Sequence, residues 1–194
     1  MTALAYLGSS GAERYTKPKI LEPVRLALGE IDLDPCSSEI AQRHVRAESW
    51  FNSEINGLRQ DWCRENRKPA RVWCNPPSSR AGFVDADGTR HHEPCIWWMK
   101  LLAEVGAGRV VGACFMIFNA ETFRHMTQYK VPHPADGRLL WLYDRPSYLT
   151  ETGDEVRDEK TGKIQSPTHI GVIAIVGRVD THKLESIGRM TGRA

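Results

Sequence analysis

The chain has 194 residues, 41% of them hydrophobic, with 26 basic against 24 acidic side chains and a formal net charge of +2. That length supports one domain with its own core, and the hydrophobic share excludes a disordered chain. The near balance of charge excludes a protein that coats nucleic acid by electrostatics alone, although it allows a local basic cleft. Residues 1–13 are small and polar and predict a frayed start. Thr16-Lys17-Pro18 then opens a helix, with Thr16 as its N-cap and Pro18 in the first turn, where the missing N–H costs nothing. Ile20, Leu21, Val24, Leu26 and Leu28 form its apolar face up to Gly29. Residues 31–34 read as a short strand stopped by Pro35. A helix is expected over 38–44, a strand-like stretch over 47–51, a turn at Asn56-Gly57-Leu58, a short helix over 60–62 and a basic loop over 64–71.

The apolar run Arg71-Val72-Trp73-Cys74 leads directly into Asn75-Pro76-Pro77-Ser78. Residues 78–94 form a loop of a length that is usually functional or mobile. A helix over 96–105 carries Trp97 and Trp98. Residues 109–118 are nearly continuously apolar, as in a central strand buried on both faces. A helix over 120–129 and strands over 139–143 and 170–176 follow, with a polar hairpin-like excursion at 144–167 and a basic, solvated tail at 179–194. This alternation predicts one α/β domain over 14–178, a mostly parallel sheet with flanking helices. Ligands of such sheets sit beyond the carboxyl ends of the strands. Asp34-Pro35-Cys36 and Asn75-Pro76-Pro77 both fall at strand ends, and so at one edge of one sheet.

The Asn-Pro-Pro corner has a specific chemical use. Pro76 fixes its own φ, and Pro77 keeps residue 76 out of the helical region, so the turn is stiff and extended. The Asn75 side-chain oxygen and the Pro76 carbonyl can accept the two N–H bonds of an exocyclic amino group on a nucleobase. That withdraws the nitrogen lone pair from the ring and makes it a nucleophile, for which the methyl group of S-adenosylmethionine is the natural electrophile. The same residues also serve as a plain turn.

Other chemistries have less to stand on. His91-His92-x-x-Cys95 has no further pair at zinc spacing, so no metal site is expected. Pro35-Cys36 and Pro94-Cys95 echo the nucleophile of cytosine C5 methylation but lack an acidic partner motif. Cys36, Cys63, Cys74, Cys95 and Cys114 are odd in number and irregular in spacing, which predicts reduced thiols. No apolar run approaches the ~20 residues of a membrane-crossing helix, and residues 1–11 do not resemble a secretion signal, so a cytoplasmic protein is expected.

Four short motifs in order resemble the phage-type DNA adenine-N6 methyltransferase family: Tyr15-Thr16-Lys17-Pro18, Ile31-Asp32-Leu33-Asp34-Pro35-Cys36-Ser37, Asn56-Gly57-Leu58 with Trp62, and Val72-Trp73-Cys74-Asn75-Pro76-Pro77. A weaker echo follows in Gly137-Arg138-Leu139 and Ser166-Pro167-Thr168-His169. The resemblance implies a Rossmann-like methyltransferase fold, S-adenosylmethionine as cofactor, adenine in DNA as substrate, and work in a bacterial host's cytoplasm; the sequence leaves monomer and dimer open. It implies a catalytic turn of Asn75, Pro76, Pro77 and Ser78. It implies a cofactor site in which Tyr15, Thr16 and Pro18 help hold the methionine end, Asp34, Pro35, Cys36 and Ser37 form the loop after the first strand, and Asn56 lies near the cofactor's adenine. Asp34 would face the cofactor's ammonium group. Arg71, Ser79, Arg80, Arg90 and His91, beside the turn, are the candidate DNA contacts.

The chain departs from the family in two places. The cofactor loop Asp34-Pro35-Cys36-Ser37-Ser38 has no glycine. Position 78, usually aromatic so that the flipped base can stack, is Ser78, leaving Trp50, Phe51, Phe83, Trp97 and Trp98 as substitutes. Cytosine N4 offers the same two donors as adenine N6, RNA is a further acceptor, and a catalytically silent DNA-binding module of the same fold is the reading from another class.

Overall fold

The apolar runs become the middle of a seven-stranded sheet covered on both faces. The protein's structure is a computed structural model. It describes residues 15–77, 83–84, 90–91, 93–118, 120–128, 130–134, 137–144, 148–150, 152–155, 157, 162–164 and 171–192. In chain order the elements are β1 (Tyr15–Thr16), α1 (Pro18–Leu28), β2 (Leu33–Asp34), α2 (Glu39–Val45), β3 (Ser49–Trp50) and a 3-10 turn at Gly57–Arg59. Then come β4 (Ala70–Cys74), β5 (Phe83–Val84), β6 (Arg90–His91), α3 (Glu93–Gly106), β7 (Val110–Ile117), α4 (Ala120–Gln128) and β8 (Arg138–Leu142). The last are β9 (Tyr148–Leu149), β10 (Val172–Gly177), a 3-10 turn at Thr181–Leu184 and β11 (Gly188–Thr191).

The large sheet has the order β11-β8-β10-β7-β4-β2-β3. β3, β2, β4 and β7 form a parallel block. β10 joins it antiparallel, and β8 and β11 continue antiparallel in turn. The sheet is therefore mixed, although β8 regains the direction of the block because it lies beyond one reversed strand. Two-stranded ribbons pair β1 with β9 and β5 with β6.

Period-two alternation divides the side chains between two cores. Val72, Cys74, Ala113, Phe115 and Ile117 face one side with Trp97, Trp98 and Leu101 of α3 and Met126 of α4. Trp73, Cys114 and Met116 face the other with Ile20, Leu21, Val24 and Leu28 of α1 and Val45 of α2. No helix among the described residues is long and apolar enough to cross a membrane.

Three local expectations are corrected. Thr16 does not cap α1. It belongs to β1, and Lys17 holds the N-cap position without a side-chain cap bond. Residues 60–62 are not helical: the turn ends at Arg59, and Trp62 is drawn straight into the core by two buried hydrogen bonds. Its indole N–H donates to the Gly57 carbonyl at 2.8 Å, and its backbone N–H donates to Glu104 Oε2 at 2.9 Å. The tail at 179–194 is also structural, since Leu184 is fully buried and Gly188–Thr191 pairs with β8 to close one edge of the sheet.

Glu104 is the buried polar anchor of this arrangement. Its side chain is inaccessible and receives Arg109 and Lys100 as well as the Trp62 amide. Burial works against its charge, but those three donors win and hold its carboxyl down at about 2. The ordinary value is about 4.3, so its contribution to stability is complete above that pH and is lost as pH falls towards 2. Replacement of Glu104 by Gln is expected to cost about 1–3 kcal/mol at neutral pH. Urea unfolding between pH 2 and 7 measures this; the variant should lose its excess destabilisation, relative to wild type, as pH falls below about 4.3.

Candidate active site

The route of the chain reverses the strand order at one point of the sheet. From β2 the chain passes through α2 to β3 on one flank, then returns past β2 to enter the sheet as β4 on the other flank. The two connections diverge. Val45 of α2 packs on the α1 side of the sheet, whereas Phe51, Leu58 and Trp62 pack on the α3 side. β2 and β4 are nevertheless parallel neighbours, with Leu33 beside Val72. A strand-order reversal of this kind leaves a crevice beyond the carboxyl ends of the two strands, where ligands of α/β sheets bind.

Both motifs expected to carry chemistry meet there. The Cys36 and Cys74 sulfurs are 3.5 Å apart, and the backbone N–H of Asn75 is directed at the Cys36 sulfur. Burial raises both thiols, so each is protonated at neutral pH. Ser37 N–H donates to the Phe51 carbonyl at 2.8 Å, and Phe51 N–H to the Asp34 carbonyl at 3.1 Å, which ties the loop after β2 to the end of β3. Asn56 is brought against the same loop. It adopts a left-handed backbone, φ 55°, with its Oδ1 accepting the Leu58 N–H, and Gly57 behind it presses on Pro35.

Thr16 also arrives at this edge. The Asn75 amide donates through Nδ2 to the Thr16 hydroxyl at 3.1 Å. That bond orients the half-buried amide and leaves Oδ1, which no donor among the described residues reaches, as the acceptor for an incoming N–H. Thr16 is itself held by the β1–β9 ribbon and by the neighbouring Lys17–Glu155 ion pair. The excursion after β8 thus supports a site residue far from it in sequence. Tyr15 is buried, and Pro18 is exposed at the first position of α1.

Asp34 is 3% exposed, and no cation pairs with it among the described residues. Burial pushes its carboxyl up to about 7, against the opposing pull of hydrogen bonds from Ser37, the Cys36 backbone N–H and Gln42. Gln42 was not legible as a site residue. It lies in α2, where a lone glutamine carries no sequence signal beyond helix propensity. In the fold its Nε2 donates to Asp34 Oδ2 at 3.1 Å and to Ser37 Oγ at 2.7 Å.

Arg71, Trp97 and Trp98 are not brought to this edge. Arg71 lies near the start of β4, at the other end of the strand, where its guanidinium grips Asp32 with two bonds, at 2.8 and 2.7 Å, and Glu30 with a third. A guanidinium committed to two carboxylates is not available to a phosphate. Trp97 and Trp98 are core residues, one stacked on Trp62 and the other edge-on to Phe115. Trp50 and Phe51 remain half-buried at and just beyond the end of β3. Arg90 and His91 form β6, and Ser78, Ser79 and Arg80 lie outside the described residues. A separate cleft of about 290 Å³ lies between α1 and the end of β8, lined by Lys19, Ile20, Pro23, Leu142 and Tyr143, and shares no residue with the crevice.

Two measurements test this geometry. Because the Asp34 carboxyl binds its proton more tightly folded than unfolded, stability should fall as pH rises from about 4, its ordinary value, to about 7. Asp34→Asn should flatten that slope in thermal melts across the window. At Gly57 a Cβ would lie 2.0 Å from the Pro35 carbonyl oxygen, so Gly57→Ala must displace one backbone segment. It should destabilise by about 1–3 kcal/mol in urea unfolding.

No protein-family model matches the chain, and no solved structure matches it. Among curated proteins the chain is similar to the tRNA(Met) cytidine acetyltransferase TmcA of Haloarcula marismortui, 31% identical over 108 residues. The match takes in 56% of this chain and 12% of the acetyltransferase, so it concerns a small part of that protein.

Proposed function

We propose that this protein is an S-adenosylmethionine-dependent methyltransferase with a Rossmann-like fold that modifies the exocyclic N6 of adenine in DNA. The observation that carries the reading is the contact between the loop after Asp34 and the strand end that leads into Asn75, at the strand-order reversal. Among the described residues, no donor reaches the oriented Asn75 oxygen and no cation pairs with the buried Asp34 carboxylate. An amine to be methylated and an ammonium-bearing cofactor supply what each lacks.

When bound, S-adenosylmethionine supplies a methyl group on a positively charged sulfur. Asp34 is suited to its ammonium group, with Pro35, Cys36 and Ser37 forming the loop around it, and Tyr15, Thr16, Pro18 and Asn56 adjoining. Asn75 Oδ1 and the Pro76 carbonyl accept the two amino hydrogens of the target base. The Thr16 hydroxyl keeps the Asn75 amide from turning, and Pro76-Pro77 keeps the second acceptor in place. Neither oxygen is basic enough to remove a proton at neutral pH, so the amine loses its proton to solvent after the new N–C bond has formed. Positioning and fixed dipoles carry the acceleration. A paired adenine must leave the duplex to reach such a corner. Ser79, Arg80, Arg90 and His91 come after the turn in the chain and are the proposed phosphate contacts, with Ser78 bordering the base.

Expression in a methylation-free bacterial host, followed by mass spectrometry of DNA nucleosides, tests the proposal. N6-methyladenine is the expected product. N4-methylcytosine would move the target to the other exocyclic amine with the same two donors, and unmodified DNA would overturn the reading. Asn75→Ala should slow methyl transfer about 10²–10³-fold, the scale of losing one oriented polar group. It should leave S-adenosylmethionine binding, measured by calorimetry, close to wild type.

A further inference from the structure

The Gln42 amide is fixed in orientation by its neighbours. Its Oε1 accepts the backbone N–H of Ala47 at 2.8 Å, just past the end of α2. Both hydrogens of Nε2 are then directed at oxygens, Asp34 Oδ2 at 3.1 Å and Ser37 Oγ at 2.7 Å. Turning the amide over would set its oxygen against two acceptors and its NH2 against an N–H. One side chain thus clasps the two ends of the α2 segment and places donors on the Asp34 carboxylate.

Those donors are matched to an anion, yet among the described residues the surroundings supply no positive charge. The titratable groups facing Asp34 are the Cys36 thiol on its own loop and the Cys74 thiol at the end of β4, both protonated and neutral at pH 7. A buried carboxylate at the end of a strand, with hydrogen-bond donors and no counter-charge among the described residues, is half of a site.

We propose that Gln42 is the positioning residue that holds Asp34 as the anionic seat for a cationic, ammonium-bearing ligand. The inference deepens the methyltransferase reading and rests on it for the ligand, S-adenosylmethionine. The seat is proton-linked: the neutral carboxyl gives its proton to the buffer as the ammonium group enters, and the carboxylate remains paired with the cation. Affinity therefore tightens as pH rises towards 7 and weakens again above about 8, where the free ligand's α-amino group loses its own proton.

Gln42→Glu separates this role from a structural one. The variant keeps an oxygen for the Ala47 N–H and removes the donors to Asp34 and Ser37. Gln42→Met, neutral and similar in length, removes the donors without adding charge, and stands in should Gln42→Glu fail to fold. The first readout is the Asp34 carboxyl titration by carbon-13 NMR, assigned with Asp34→Asn. The second is calorimetry with S-adenosylmethionine between pH 6 and 8.5 in two buffers of different ionisation enthalpy. In wild type, up to one proton should be released on binding at pH 6, and at pH 8.5 the sign should reverse, because the ligand's α-amino group, which titrates at about 8, takes up a proton to bind as ammonium. In either variant the Asp34 titration should move to higher pH, and binding at pH 7 should weaken about tenfold or more, a change of about 1.4 kcal/mol. A variant whose Asp34 titrates as in wild type, or which binds the cofactor as tightly, overturns the role of Gln42. Wild-type protein that binds no S-adenosylmethionine overturns the methyltransferase reading and this ligand, and the NMR titration then decides the Gln42–Asp34 coupling by itself.

Discussion

The parallel contact between β2 and β4 is the constraint on which the site depends. The chain reaches β4 only after building β3 on the far side of β2, and the two connections leave on opposite faces of the sheet. Backbone hydrogen bonding holds the two strands side by side, while the diverging connections keep their carboxyl ends open. Gly57 permits the close approach of the returning segment to Pro35, where any side chain would meet the carbonyl. Asn75, the Asp34–Ser37 loop and Asn56 are neighbours for this reason.

The two ends of this strand pair treat acidic groups in opposite ways. Asp32 lies at the amino end, with Arg71 gripping it and Arg64 at 3.4 Å. Burial opposes its charge, but the guanidinium bonds hold its carboxyl below the usual range. Asp34, two residues on, is as deeply buried, with donors but no cation among the described residues, and it is pushed the other way. The first arrangement joins β2 to β4 and is complete within the protein. The second is uncompensated, and strongly shifted groups in crevices are where binding and catalysis concentrate.

Support for the site comes from distant parts of the chain. Thr16, which orients the Asn75 amide, is held in a ribbon with residues from the excursion after β8. Gln42, which reaches Asp34 and Ser37, is held by the backbone that leaves α2. Each of these side chains at the crevice thus has its orientation set by a second contact, the condition for an oriented polar site.

Apolar periodicity in the sequence was enough for the α/β class, the buried central strand at 110–117, the helices on either face, and the position of Asn75-Pro76-Pro77 and Asp34 at strand ends. These come from local rules, since side-chain spacing and proline geometry act within a few residues. Tertiary structure decided the rest. It turned β10 against the parallel block, recruited residues 188–191 as an edge strand, and moved Thr16 from a helix cap to a partner of Asn75. It also committed Arg71 to Asp32 at the far end of β4, and brought Gln42 to Asp34. A charged or amide side chain shows its bonding capacity in the sequence, but its partner is whatever the packing sets within about 3 Å.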